Sequence, residues 1–318
     1  GCGRAAFGAT APMEAEIMSP SNPSQPTSMP TPPVRGANYL RVIATFCRNS
    51  LIRDMSFRAD FILQCISSMS WAVMNFMLFK IIYRFTDSIG RDTGWGEHEF
   101  FVFLGTIWVI NSLIQTFFMQ NFDEFSDLIR TGSIDFVLLK PIDPQVLVSF
   151  PRTNWSQLAN GGLGLALIGY SVAQLLSDPE KHLQFSVFTV LAFLLFIVCG
   201  VAVMYSVMLA LASTSIWLGR NQNLYDFWFY ITNFYRYPME IYQRSGMGWA
   251  LWGTFTFVIP VLVVSNIPAR VLAQPLGTPW RWWEWSLAGY ALLAAVLSLL
   301  ASRWVFLKAL KSYRSASS

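Results

Sequence analysis

The chain has 318 residues, of which 54% are hydrophobic and 13% charged, where soluble domains carry about 25% charge. That balance excludes an ordinary soluble domain, and a net charge of +4 gives no case for a nucleic-acid partner. The cysteines, Cys2, Cys47, Cys65 and Cys199, match no metal or redox spacing, and Cys65 and Cys199 fall in apolar runs, which gives no case for a disulfide framework.

Residues 1–36 interleave Pro20, Pro23, Pro26, Pro30, Pro32 and Pro33 with Ser, Thr and Asn. Such a stretch cannot bury a core and is predicted to be a disordered tail. It has no signal-peptide apolar run, and Met18 and Met29 are candidate starts. In residues 37–58, Leu40, Ile43, Cys47, Leu51 and Met55 recur at helical spacing between Arg41, Arg48, Arg53 and Arg58. The pattern predicts an amphipathic helix lying on the bilayer surface, its arginines at the headgroups. The plainer alternative is a lead-in to the first span.

Charge-free apolar runs follow at 61–79, 100–122, 158–176, 183–206, 249–264 and 287–300. About 20 apolar residues cross a hydrocarbon core. The predicted fold is therefore an all-α polytopic membrane protein, its transmembrane domain covering 37–314. It has six transmembrane helices, at about 59–81, 100–122, 157–177, 184–211, 247–267 and 285–305. Gly161, Gly162, Gly164 and Gly169 in span three make either a packing face or a loose helix start. Gln64, Asn75, Asn111, Gln115 and Gln120 either bond neighbouring helices or line a path. The aromatic stretch 213–245 is read as a cytoplasmic loop whose 223–234 part forms a half-immersed helix, the alternative being a seventh span that would leave the basic C-terminus outside. Pro260 and Pro268 are expected to kink span five. Trp280, Trp282, Trp283 and Trp285 are read as an outer aromatic belt.

With both termini inside, fifteen Lys and Arg residues fall on the cytoplasmic side and six outside, leaving Arg4 aside. Basic residues stay on the cytoplasmic side, so this orientation is preferred and the loops 122–157 and 213–248 are placed inside. No carboxylate lies in any of the apolar runs, which opposes an ion-coupled carrier. His98 and His182 fall in predicted loops, which opposes a membrane enzyme. No G-x-x-x-x-G-K-[ST] phosphate loop is present, so any ATP hydrolysis belongs to another chain.

Residues 121–143 read N-F-D-E-F-S-D-L-I-R-T-G-S-I-D-F-V-L-L-K-P-I-D. Asp123, Glu124 and Asp127 early and Arg130 late suit the dipole of a short helix ended by Gly132. Phe122, Phe125, Leu128 and Ile129 supply an apolar face, and Pro141 and Pro144 close a second apolar piece. The loop either docks a partner or rests on the membrane.

The stretch 128–149, LIRTGSIDFVLLKPIDPQVLVS, resembles the permease subunits of ABC-2 type transporters, in the branch with G-x-[IL]-D-[FY]-x-L-L-[KR]-P after span two. YRYPMEIY at 235–242 and FVIPVLVVSNIPARVL at 257–272 look like two further segments of that branch. The resemblance implies a membrane-spanning permease that dimerises, as two copies or with a paralogue. It implies cytoplasmic ABC ATPase subunits, which hold the ATP and Mg, in a transporter of the inner cell membrane, usually an exporter. The chain itself is expected to hold no catalytic, cofactor or metal residue. The resemblance also implies that the interfacial helix (Arg41, Arg48, Leu51, Arg53) and the loop after span two touch the ATPases. In the loop, Phe122, Phe125, Asp127, Leu128, Ile129, Arg130, Gly132, Asp135 and Pro141 are the docking candidates. An ion-coupled carrier and a non-transporting assembly protein are the competing functions.

Overall fold

The computed structural model describes residues 38–89, 94–178, 186–218, 224–244, 246–274 and 282–313, and every regular element among them is helical. The tail 1–36 and Trp280 lie outside the described residues. In chain order the helices are α1 (Tyr39–Ser56), α2 (Arg58–Ile82), α3 (Glu97–Ile114), α4 (Gln120–Arg130), α5 (Ile134–Leu138) and α6 (Pro144–Ser149). They continue with α7 (Leu158–Ser177), α8 (Val187–Leu218), α9 (Leu224–Phe234), α10 (Gly246–Gly253), α11 (Val261–Ala273) and α12 (Trp282–Ser312). Five helical stretches are long and apolar enough to cross a membrane: α2, α3 through α4, α7 with its lead-in turn, α8 and α12.

The bundle is built around α3. Every residue from Glu99 to Ile110 is buried, so a helix apolar all round becomes the core. Its closest neighbour is α7, and glycine sets the distance. A Cβ built on Gly164 would lie 2.8 Å from the Gly105 carbonyl oxygen, and one on Gly105 would lie 2.7 Å from that of Gly164. One on Gly161 would reach Ser112 Oγ at 2.6 Å, whereas Gly162 and Gly169 have nothing within 4 Å. The glycine-rich face is thus a packing face carried by Gly161 and Gly164, with Gly105 as a partner that the sequence reading missed. Apolar side chains gain little from leaving lipid for protein, so close backbone approach is the main source of helix affinity there.

Two corrections concern chain path. The helix of span two does not end at 122. The helix continues through a π turn, Gln115–Met119, into α4 and reaches Arg130. Asp123 and Glu124 therefore have no free helix N-terminus to complement.

The second correction concerns the return crossing. Tyr205 of α8 and Arg303 of α12 both bond Gln145, while nearer their N-termini Phe196 and Ala291 line one small cavity. The two helices run in parallel, so the chain must cross back between them. Glu240 accepts from Trp95 Nε1 at 3.0 Å and pairs with Arg270. Trp95 precedes α3 and takes a hydrogen bond from Tyr83 after α2, so Glu240 stands at the α2–α3 end of the bundle. Residues 224–240 make the return: Trp228, Ile231 and Tyr235 are buried in the core. Their aromatic density points to a headgroup-level cytoplasmic loop over 213–248; burial in the bundle is the physical reason that reading fails from α9 onward. Residues 246–273 then enter and leave at the same end, bent by 85° between 246–258 and 261–273. Pro260 stands at that break. Pro268 does not break α11; it frees the carbonyl of Val264, four residues back. Gly200 of α8 packs there, with a built Cβ only 3.1 Å from that oxygen.

The Glu240–Arg270 pair is buried, its side chains 14% and 8% exposed. The sequence pattern assigns neither residue to a span and places Glu240 in the cytoplasmic loop and Arg270 on the outer side.

Two expectations follow from this packing. Gly164→Val should lower stability by about 1–3 kcal/mol through overpacking, while Gly162→Val and Gly169→Val stay near wild type; thermal unfolding in nanodiscs reads the difference. Removing one partner of the buried pair leaves a lone charge, so Glu240→Leu should cost about 3–5 kcal/mol. The double change Glu240→Leu with Arg270→Met should recover most of that loss in the same assay.

Candidate functional site

The loop joining α4 to α7 lies at the end of the bundle opposite Trp95. Its path is set by local signals. Thr131 caps α4, and Gly132 takes φ +70°, the left-handed turn a glycine adopts without a Cβ clash. Asp143 caps α6 by accepting from Gln145 N at 2.9 Å, with Pro144 at the first helical position.

Three side chains fasten this loop to three helices. Asn121 on α4 has Nδ2 within 3.0 Å of the carbonyls of Ser149 and Arg152, and its Oδ1 accepts from Arg152 N at 2.9 Å. Tyr205 on α8 has its hydroxyl 2.9 Å from both Ser149 Oγ and Gln145 Nε2. Arg303 on α12 donates to Asp143 Oδ2 at 2.8 Å and to Gln145 Oε1 at 2.9 Å. Asn121 is buried, and an amide buried with its donors and acceptor satisfied specifies one arrangement. None of the three was singled out from the sequence. Asn121 carried a signal, as an amide where an apolar run meets a charged one.

The predicted docking residues divide. Phe122 and Phe125 are fully buried and Ile129 is nearly so. Phe122 packs on Tyr205 at 5.7 Å and Phe125 on Phe306 at 6.1 Å between ring centres. These three hold α4 to the chain's own bundle and present nothing to a partner; α4 is amphipathic because its apolar face is turned inward. Leu128 and Asp135 are half-buried. Asp127 and Arg130 are 68% and 69% exposed and pair at 3.2 Å. The exposed apolar surface comes from the next piece, with Phe136 72%, Leu139 81% and Leu138 39% exposed beside Lys140 and Pro141.

α1 lies against the same end. Cys47, Ser50 and Asp54 meet the chain at 153–155: Thr153 N donates to Ser50 Oγ at 3.1 Å and Trp155 Nε1 to the Cys47 carbonyl at 3.2 Å. Arg41, Arg48, Leu51 and Arg53 are exposed, as are Leu40, Ile52 and Met55. The inward face is thus centred on Ser50, off the predicted apolar stripe, which leaves most of that stripe open.

Between the α1–α2 elbow, the π turn and residues 152–157 lies a polar cavity of about 510 Å³. Gln64, Gln115 and Gln120 all line it; Asn75 instead donates to Trp71 O in its own helix. Asp123, just beyond the span, also lines it. Although that residue is exposed at the cavity wall, the surrounding protein and then the neighbouring Glu124 push its carboxyl up to about 6.

A family model described as an ABC-2 family transporter protein matches residues 69–317, most of the chain. The chain belongs to the ABC-2 transporter family. As a member it is the membrane-spanning permease component of an ABC transporter, a class that works with ABC ATPase subunits. The match begins inside α2, so α1 and the elbow at Phe57 lie outside it. No curated protein and no solved structure matches this permease.

The raised carboxyl of Asp123 carries a sign. The folded state favours the neutral acid, so its contribution is complete at low pH and is lost as pH rises from about 4 to 6. Asp123→Asn should therefore melt above wild type at pH 7.5, with the gap closing near pH 4, when unfolding is followed by tryptophan fluorescence.

Proposed function

We propose that this chain is the permease subunit of an ATP-driven exporter of the inner cell membrane. It acts as a dimer, with a second copy or a paralogue, and is powered by a separate cytoplasmic ABC ATPase that holds the ATP and Mg. The observation that carries the reading is the loop between α4 and α7: a rigid surface bonded to α4, α8 and α12 yet open on its outer side. A rigid, exposed loop is what a motor subunit needs to move helices.

Orientation follows from charge. Moving Arg236 and Arg244 across with the return crossing leaves thirteen basic residues on the loop side against eight. The loop end and both termini are therefore assigned to the cytoplasm. α1 lies along the membrane surface with Leu40, Leu51, Ile52 and Met55 in the bilayer and its arginines at the headgroups. The α2 face carrying Ile62, Leu63, Ile66, Trp71 and Met74 is left for lipid or for the second permease.

The docking face is Phe136, Leu138 and Leu139, flanked by Asp127, Arg130, Lys140 and Pro141. Full burial of one large apolar side chain contributes about 1.5–3 kcal/mol. Phe136→Asp with Leu139→Asp should abolish co-purification of a co-expressed ABC ATPase while the permease stays folded and inserted. Phe125→Ala should instead lower permease stability, because its ring fills the chain's own core. Normal ATPase retention by the double variant would show that this face is not the docking surface.

A further inference from the structure

We propose that the cavity at the α1–α2 elbow is a binding site for an organic ammonium ion. Its volume of about 510 Å³ is in the range of molecular ligand pockets, roughly 300–1,000 Å³. Among the described residues no group of three or more carboxylate, His or Cys side chains is disposed to hold a metal ion.

The charges in the wall decide the sign of the ligand. Arg53 is paired with Asp54 at 3.4 Å, and Arg152 with Glu124 outside the wall. Asp54 also accepts from Trp155 N at 3.3 Å. Two carboxylates remain without a cation. Asp60 takes a single amide bond, from Gln64 Nε2 at 2.7 Å, and Asp123 has no hydrogen bond or ion pair among the described residues. The lining around them includes the aromatic residues Phe57 and Phe61 and the amide residues Gln115 and Gln157. Carboxylates, aromatic faces and amide carbonyls together are the recognition chemistry of an ammonium group.

The site also has a built wall. The π turn Gln115–Met119 contributes Gln115 and Met119 to the lining, and such turns recur at functional sites. The elbow at Phe57, where α1 gives way to the first span, puts the cavity beside the level of lipid headgroups. The ammonium can come from an aminophospholipid headgroup or from a soluble amine.

The test uses the full chain in nanodiscs. In one arm the lipid is phosphatidylglycerol alone, and benzyltrimethylammonium is titrated by calorimetry. In the other the lipid includes phosphatidylethanolamine, and native mass spectrometry counts retained lipid. Wild type should bind in at least one arm, and the arm that responds identifies the source. Asp60→Asn with Asp123→Asn should weaken that binding by about tenfold or more. Asp123→Lys, which puts an ammonium of its own into the cavity, should abolish it. Asp127→Asn, outside the cavity, should bind as wild type, and melting curves confirm that each variant is folded. Absence of binding by wild type in both arms, or undiminished binding by the folded double variant, overturns the proposal.

Discussion

The contact on which the rest of this bundle depends is backbone against backbone, between Gly105 of α3 and Gly164 of α7. In water a helix as apolar as α3 would be driven inward by its whole surface. In lipid that drive is absent, and what holds α3 at the centre is the number of atoms its neighbours can bring close. Missing side chains at 105, 161 and 164 allow that approach, and Ser112 fills the remaining gap by donating to the Gln157 carbonyl at 2.8 Å. α2, with no such face, touches the core mainly through aromatic pairs, Phe79 with Phe100 at 4.6 Å and Phe76 with Phe101 at 5.0 Å.

A second constraint shapes the broken helices. Polar backbone released inside a membrane must be met by protein. Where the chain unwinds after α9, Ser265 Oγ donates to the Tyr235 carbonyl at 3.0 Å and Asn266 Oδ1 accepts from Met239 N at 3.0 Å. Where Pro268 frees a carbonyl, Gly200 allows α8 to close over it. The buried Arg270–Glu240 pair, with Trp95 donating to the same carboxylate, ties the re-entrant segment to the start of α3. Both of these breaks are matched by polar or small residues on a different helix.

These constraints explain what was legible in the sequence. The apolar runs locate α2, α3, α7, α8 and α12, because the bilayer demands length and apolarity and little else competes. They do not show helix ends: α4 continues span two because its inward face, Phe122, Phe125 and Ile129, extends the apolar stripe past the first charges. The return crossing was illegible for a related reason. Tyr and Trp at 225–237 suit a membrane surface as well as a packed interior, and what decides between them is the burial of Trp228, Ile231 and Tyr235 and the meeting of Glu240 with Trp95 and Arg270. In the loop, Gly132 and Pro144 were readable as punctuation. Which residues faced inward was not, since a helical apolar stripe looks the same whether it packs on its own chain or on another.

The polar staples of the loop bear on how force would travel. Asn121, Tyr205 and Arg303 stand on α4, α8 and α12, and each reaches the loop by its own side chain, with no intervening residue. Side-chain bonds of this kind have two states, made or broken, unlike a greasy contact that slides. A load on the surface at Phe136–Leu139 would therefore reach α8 and α12 through α6, where Tyr205 and Arg303 share Gln145 and also hold Ser149 and Asp143 respectively. The Gly105–Gly164 contact is too close to deform, so α3 and α7 would move as one body. Any relative motion would then fall to the parts joined by breaks, the elbow at Phe57 and the bend at Pro260, which are also the places where the helices have no continuous backbone ladder to resist it.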